Sequence, residues 1–161
     1  MAEGRMNSLS IVTVVALLLF AGFLAGSESA INSISRIFIE ELEEKSSRRA
    51  ALVAKVLAEP ARYLNVILFV RKASELTATV IVAEELRARF DSTLVALSCA
   101  IAIMLILSYV VVGVGPRTLA KQNAGQWIIP SCFVAVIMAT VMSPITAILI
   151  AIGNAITPGK G

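Results

Sequence analysis

Three stretches of the chain carry no charged residue: Met6 to Ser27 (22 residues), Ser92 to Pro116 (25) and Gln122 to Gly159 (38). A helix that crosses a bilayer needs about 20 consecutive apolar residues, so each stretch is long enough for at least one span. Between the first two the pattern changes. Ile31, Ile34, Ile37, Phe38 and Leu42 recur at helical spacing, with Glu40, Glu41, Glu43 and Glu44 largely on the other side. After Ser46-Ser47, Leu52, Val53, Val56 and Leu57 form a second apolar stripe, which Glu59-Pro60 ends because proline cannot donate to the helix ladder. The two stripes predict a helical hairpin. It either lies as a solvated surface against the membrane or acts as a gate.

The stretch from Tyr63 to Ala83 is also long enough to span, yet it holds Arg71, Lys72 and Glu75 near its middle. Each unpaired charge at the centre of a span costs about 2.5 to 3.5 kcal/mol, so lipid cannot surround them. Glu75 lies four residues after Arg71 and three after Lys72, which lets one carboxylate reach both cations on a helix face. The third span runs into Gly113-Val114-Gly115-Pro116-Arg117, where Gly115 and Pro116 predict a helix break, either a helix end or part of an ion site. The last apolar run, residues 127–156, is interrupted at Pro130 and Ser143-Pro144. It predicts a broken belt helix or shallow hairpin anchored by Trp127, with a fourth crossing as the alternative. The expected fold is all-α and integral to the membrane, with spans at about residues 8–28, 63–83 and 93–114.

Composition agrees: 58% of residues are hydrophobic, 16% are charged and the mean hydropathy is +0.87, against about 25% charged in soluble domains. A secretory signal is the other reading of the first run, but one Arg precedes it and Ala25 to Ala30 lead into an amphipathic stretch. Arg36, Lys45, Arg48, Arg49, Lys55 and Arg62 gather in the first connector, whereas the next holds Arg87 and Arg89 against three acids. The positive-inside rule then places the first connector in the cytoplasm, the amino terminus outside and Arg117 and Lys121 inside, in a plasma-membrane, multi-pass protein with a cytoplasmic carboxy terminus. The net charge of +3 belongs to these flanks, so nucleic acid is not an expected partner; the lipid bilayer is.

The chain has no histidine, and Cys99 and Cys132 both sit in apolar runs, so a thiol and imidazole metal site cannot be built. No nucleotide-binding loop or nucleophile with a base is present, so no enzyme is expected. The stretch Ala25-Gly26-Ser27-Glu28-Ser29-Ala30 differs from an ordinary span end by its small residues, hydroxyls and acid. Its oxygens suit a hard cation. Alternatively Glu28 meets Arg71 across a helix interface, and Glu28, Arg71, Lys72 and Glu75 form an ion-pair or gating network. Gly22, Ala25, Gly26 and Ala30 are spaced for close helix approach, either between two subunits or within one.

Gly26-Ser27-Glu28-Ser29-Ala30, Ser33-Ile34-Ser35-Arg36, Glu59-Pro60-Ala61-Arg62-Tyr63-Leu64 and Gly115-Pro116-Arg117-Thr118-Leu119-Ala120, in this order and at these separations, resemble the transmembrane domain of the CorC and cyclin-M (CNNM) family. The likeness covers most of Ala25 to Ala120. It implies three spans, cytoplasmic helices and a belt-like juxtamembrane helix, in a homodimeric transporter or exporter of Mg2+, with coupling to Na+ open. It also implies a metal site in which Ser27 matches the serine of the family's Gly-Ser-Glu motif, followed by Glu28 and Ser29. The family has a Gly-Asn pair and a further Asn in its second span, where a gapless reading here puts Arg71 and Glu75, with Ser74 before the second. Gly113 stands where the family has a glutamate before its proline. The implied metal positions are therefore Ser27, Ser29, Ser74, Glu75 and Gly113, with Arg71 needing compensation by Glu75 and Glu28. Family members continue into a paired CBS-type regulatory module, absent from these residues and an expected cytoplasmic partner where the full-length chain continues. The competing expectation, from another class, is a non-transporting membrane anchor and dimerisation module held by the ion-pair network.

Overall fold

Punctuation residues set the helix ends in the computed structural model, which describes residues 8–142. The first helix, α1 (Ser8–Ser33), stops short of Ser35, whose side-chain oxygen accepts from the Phe38 N–H at 3.3 Å and so caps α2 (Arg36–Lys45). Ser46 separates α2 from α3 (Ser47–Ala58), and Pro60 opens α4 (Pro60–Arg87) at a position where its missing N–H costs nothing. Helices α2 and α3 form the expected hairpin, with Glu40, Glu41, Glu43 and Glu44 exposed and Leu42, Val53 and Val56 buried. Its first helix is shorter than the stripe from Ile31 to Leu42 predicts: Ile31 belongs to α1 and Ile34 lies in the break that the Ser35 cap makes. A turn then leads to α5 (Thr93–Leu107), a π-helical segment (Ser108–Val114), α6 (Gly115–Gln122) and α7 (Ala124–Val141). All regular structure among the described residues is helical.

Two expected interruptions take a different form. At Gly115-Pro116 the chain stays helical, and the irregularity is the π segment just before it, whose Val110 carbonyl accepts from the Gly115 N–H. In that winding the Val111 carbonyl would receive its bond from residue 116, which is proline, so it loses the donor. Gly22 of α1 closes over that carbonyl: a Cβ there would lie 2.7 Å from the Val111 oxygen. At Pro130, α7 runs on unbroken. The carbonyl left without a donor is that of Gln126, an exposed residue in the first turn. The expected break at Ser143-Pro144 lies outside the described residues.

Three helical stretches are long and apolar enough to cross a membrane: Ser8–Ser33, Thr93–Gln122 and Ala124–Val141. The span expected at 63–83 lies inside α4, which at 28 residues is longer than two of these but more charged. The protein is an integral membrane α-helical domain. Helix α1 is its axis, packing most extensively on α4 and then on α6, α7 and the π segment. Helix α7 lies on α1, α3 and α4 with one face, Ile128, Cys132, Ala135 and Ala139, buried. At its start Gly125 receives the Phe38 ring of α2, and Trp127, expected as an interface anchor, stacks on Phe23 of α1 with centroids 5.7 Å apart.

The buried apolar side chains fall into two clusters. One joins Val14, Leu18, Ala21 and Ala25 of α1 to Ala78 and Val82 of α4 and to Ala100 and Met104 of α5. The other joins Leu24 and Ile31 to the hairpin, the first turns of α4 and α7. Between them, on the α1–α4 seam, lies a polar layer.

Candidate functional site

The buried stripe of α4 reads Tyr63, Val66, Ile67, Arg71, Ser74, Ala78 and Val82, so the arginine and serine occupy core positions on the face that meets α1. Arg71 is 7% exposed and Ser74 7%. A guanidinium so placed requires a partner. Its Nη1 donates to Glu28 Oε2 at 2.8 Å, a charge-assisted bond between residues 43 apart in sequence. Its Nε lies 3.8 Å from Glu75 Oε1, an ion-pair contact too long to be a hydrogen bond. Lys72, largely exposed, reaches Glu75 Oε2 at 3.4 Å and carries its ammonium outward.

A third helix joins this pair. Arg117 Nη2 donates to the same Glu28 oxygen at 3.3 Å, and the Ser29 hydroxyl donates to the Arg117 carbonyl at 3.3 Å. One acid of α1 thus ties α4 to α6. The network holds Arg71, Lys72 and Arg117 against Glu28 and Glu75, a positive surplus of one charge, and Lys72 and Arg117 are its partly exposed cations. The bonds also set a common depth. Arg71 lies level with Glu28, in the last turns of α1, and with Arg117, just past the apolar run that ends at Pro116. The charges of α4 therefore sit at the margin of the apolar layer rather than at its centre, where the cost of ionised groups falls.

The other expected site residues divide. Ser27 is fully buried, and its hydroxyl donates to the Phe23 carbonyl at 2.9 Å; Ser74 does likewise to Val70 at 2.9 Å. Such bonds spend the hydroxyl proton and leave the oxygen lone pairs available. Glu28, Ser29, Arg71, Lys72 and Glu75 are brought together by the contacts above. Gly113 lies in the π segment, where the groups nearest a side chain at that position are Ser108 and Tyr109 of the same segment. Among the described residues no three His, Cys, Asp or Glu side chains converge as a metal site would require.

Two cavities open on either side of Arg71. One, of about 210 Å³, lies between α4 and α5, with Lys72, Glu75 and Thr79 facing Met104, Leu105 and Ser108. The other, of about 230 Å³, is framed by the last turns of α1 and by Arg117 and Lys121 of α6.

Comparison with known proteins agrees with this architecture. The chain is 35% identical over 147 residues to the UPF0053 protein Mb2387c of Mycobacterium bovis and, at the same identity and length, to the UPF0053 protein Rv2366c of Mycobacterium tuberculosis. The alignment covers 91% of this chain but 34% of each relative, so the chain spans about a third of their length. The sequence model of the cyclin-M transmembrane N-terminal domain matches residues 11–161, from the second turn of α1 through every helix described above. With that match over its whole helical bundle, the chain belongs to the CNNM transmembrane-domain family.

Proposed function

We propose that this domain is the membrane part of a divalent-cation transporter or exporter, with Mg2+ as its cargo and Na+ as a candidate coupling ion. The family is generally associated with metal transport across membranes. One observation carries the reading for this chain. The Glu75 carboxylate is held by two cations at loose distances, 3.8 Å to Arg71 and 3.4 Å to Lys72, at the edge of a cavity that also presents the hydroxyls of Thr79 and Ser108. Mg2+ keeps several of its waters and asks for only one or two carboxylates, so a hydrated ion needs no dedicated protein cage here. Thr79 donates its own proton to the Glu75 carbonyl at 2.8 Å, which leaves its oxygen as an acceptor for those waters. In this proposal Arg71 is a tethered cation that holds Glu28 and Glu75 until the cargo replaces it. Ser27 and Ser74, buried on the same α1–α4 seam, supply further oxygens. The excess of Lys and Arg in the α2–α3 connector supports an outside amino terminus and a cytoplasmic charged end. The family supports a homodimer in the plasma membrane with a CBS-type module as cytoplasmic partner.

The test is Mg2+ flux into proteoliposomes that hold the protein at its full natural length, with and without a Na+ gradient. Glu75→Gln is expected to lower flux at least tenfold, and Ser27→Ala to lower it by a smaller factor. No flux above empty vesicles for the unaltered protein would end the proposal.

A second reading has its own observation: every carboxylate of the network already has a cationic partner. In that reading the domain is a membrane anchor and dimerisation module. Glu75→Gln then lowers thermal stability in detergent while Mg2+ binding, followed by calorimetry, does not change.

A further inference from the structure

We propose that the cavity between the last turns of α1 and α6 binds a phosphate group, presented by the headgroup of an anionic lipid. Its wall is polar: Glu28, Ser29, Asn32 and Ser33 from α1, and Arg117 and Lys121 one turn apart on α6. At about 230 Å³ it has room for several waters at roughly 30 Å³ each, or for a phosphate with part of its shell.

Charge decides between a cation and an anion. The one acid on the wall, Glu28, is already bonded by Arg71 at 2.8 Å and Arg117 at 3.3 Å, so its charge is more than matched. Lys121 has no acidic partner among the described residues, and the side chains of Asn32 and Ser33 have no hydrogen bond there. The carbonyl end of α1 adds about half a negative charge, which the ammonium of Lys121 alone exceeds. Arg117 remains partly exposed, and only one of its N–H groups is spent on Glu28, so it can offer a two-point contact to phosphate oxygens.

Depth selects the source. From Ser8 to Glu28, α1 rises about 30 Å, the thickness of a bilayer's hydrocarbon core. The cavity therefore opens near the level where lipid phosphates lie. Basic pockets between membrane helices on the cytoplasmic side hold anionic headgroups by this chemistry. The cavity lies on the opposite side of Arg71 from the Glu75 cavity, and its charge is that of the state in which Arg71 holds Glu28; a failure of cation transport would leave it standing.

Calorimetric titration of the purified full-length protein in detergent tests it with two probes, short-chain phosphatidic acid and inorganic phosphate. Short-chain phosphatidylcholine serves as reference. We expect phosphatidic acid to bind more tightly than phosphatidylcholine. Lys121→Gln should weaken that binding about 5-fold, the factor that corresponds to the ~1 kcal/mol of one basic residue near an anionic surface. Asn32→Ala should weaken it less. Arg89→Gln, exposed at the other end of the bundle, should leave it unchanged. Lys121 is exposed and makes no side-chain bond among the described residues, so its loss does not threaten the fold they form. If inorganic phosphate binds as tightly and shows the same loss in Lys121→Gln, the phosphate site stands with a soluble source. If neither probe binds, or Lys121→Gln and Arg89→Gln behave alike, the proposal is overturned.

Discussion

Helices α1 and α5 begin as the same kind of sequence, uncharged apolar runs of 22 and 25 residues, and end in opposite places. From Ala21 to Ile31 α1 is buried on almost every side by α4, α6, α7 and the π segment. Helix α5 offers only Ala96, Ala100 and Met104 to the bundle, a stripe one residue wide, and leaves Leu94, Ile101, Leu105 and Ile106 exposed. Hydropathy cannot tell them apart, because lipid tails are as apolar as leucine and burial against protein gains little from the hydrophobic effect. What separates them is what lipid cannot offer. Helix α1 has glycines that admit a carbonyl and an indole ring, and an acid that binds two guanidinium groups.

The strongest way to break that contrast is to remove the charge that fastens α1. Arg71→Ala leaves Glu28 with Arg117 alone and Glu75 with Lys72 alone. Removing one partner of a buried pair costs about 3 to 5 kcal/mol. Because the Glu28 side chain is 30% exposed and keeps a cation, the lower end, about 3 kcal/mol, is expected in equilibrium unfolding in detergent. Adding Glu28→Gln to Arg71→Ala should then cost much less than Glu28→Gln alone. A cost under about 1 kcal/mol for Arg71→Ala would mean that packing, not the ion pair, holds α1.

A smaller effect is expected at the glycines. A Cβ at Gly26 would lie 2.5 Å from the Trp127 ring, which is itself stacked on Phe23, and one at Gly22 would lie 2.7 Å from the Val111 backbone oxygen. Overpacking costs about 1 to 3 kcal/mol, against which alanine returns up to ~1 kcal/mol of helix propensity. Gly26→Ala and Gly22→Ala should therefore each destabilise by about 1 to 2 kcal/mol. Gly113→Ala meets nothing nearer than 3.6 Å and should be neutral or mildly stabilising. If all three behave alike, the close approach along α1 is not what positions it.

Local chemistry made much of this legible. Ser46 and Pro60 mark real helix ends, and the spacing of Arg71, Lys72 and Glu75 predicts their ion pairs, because helix stops and i to i+4 contacts are decided within a few residues, whereas the apolar stripe across Ser35 hides the cap that ends it. The Glu28 to Arg71 bond was open to inference from charge balance alone. Arg117 was not: it stands 89 residues from Glu28, and its place in the network depends on how far α5 and the π segment carry the chain before α6. A proline ends a helix only where the surrounding chain cannot accommodate the carbonyl it frees. Gln126 is exposed near a helix start, and the chain before Pro116 takes a π winding with the Val111 carbonyl turned toward Gly22. Neither condition is visible from the proline itself.

The smallest effect, and the sharpest test of the contrast, lies on α5. Ile106, 62% exposed on that helix, leaves one lipid-like setting for another when it is truncated, because the unfolded reference in a membrane also surrounds it with apolar chains. No cavity opens, and alanine is slightly the better helix former. Ile106→Ala should therefore change stability in detergent or lipid by less than about 0.5 kcal/mol, although the same change in a packed core costs about 2 to 5 kcal/mol. A loss above about 1 kcal/mol would show that this face of α5 is covered by protein. Sedimentation of the same variant would then identify the cover: a shift toward monomer assigns it to a second copy of the chain, and an unchanged mass assigns it to another part of the same subunit.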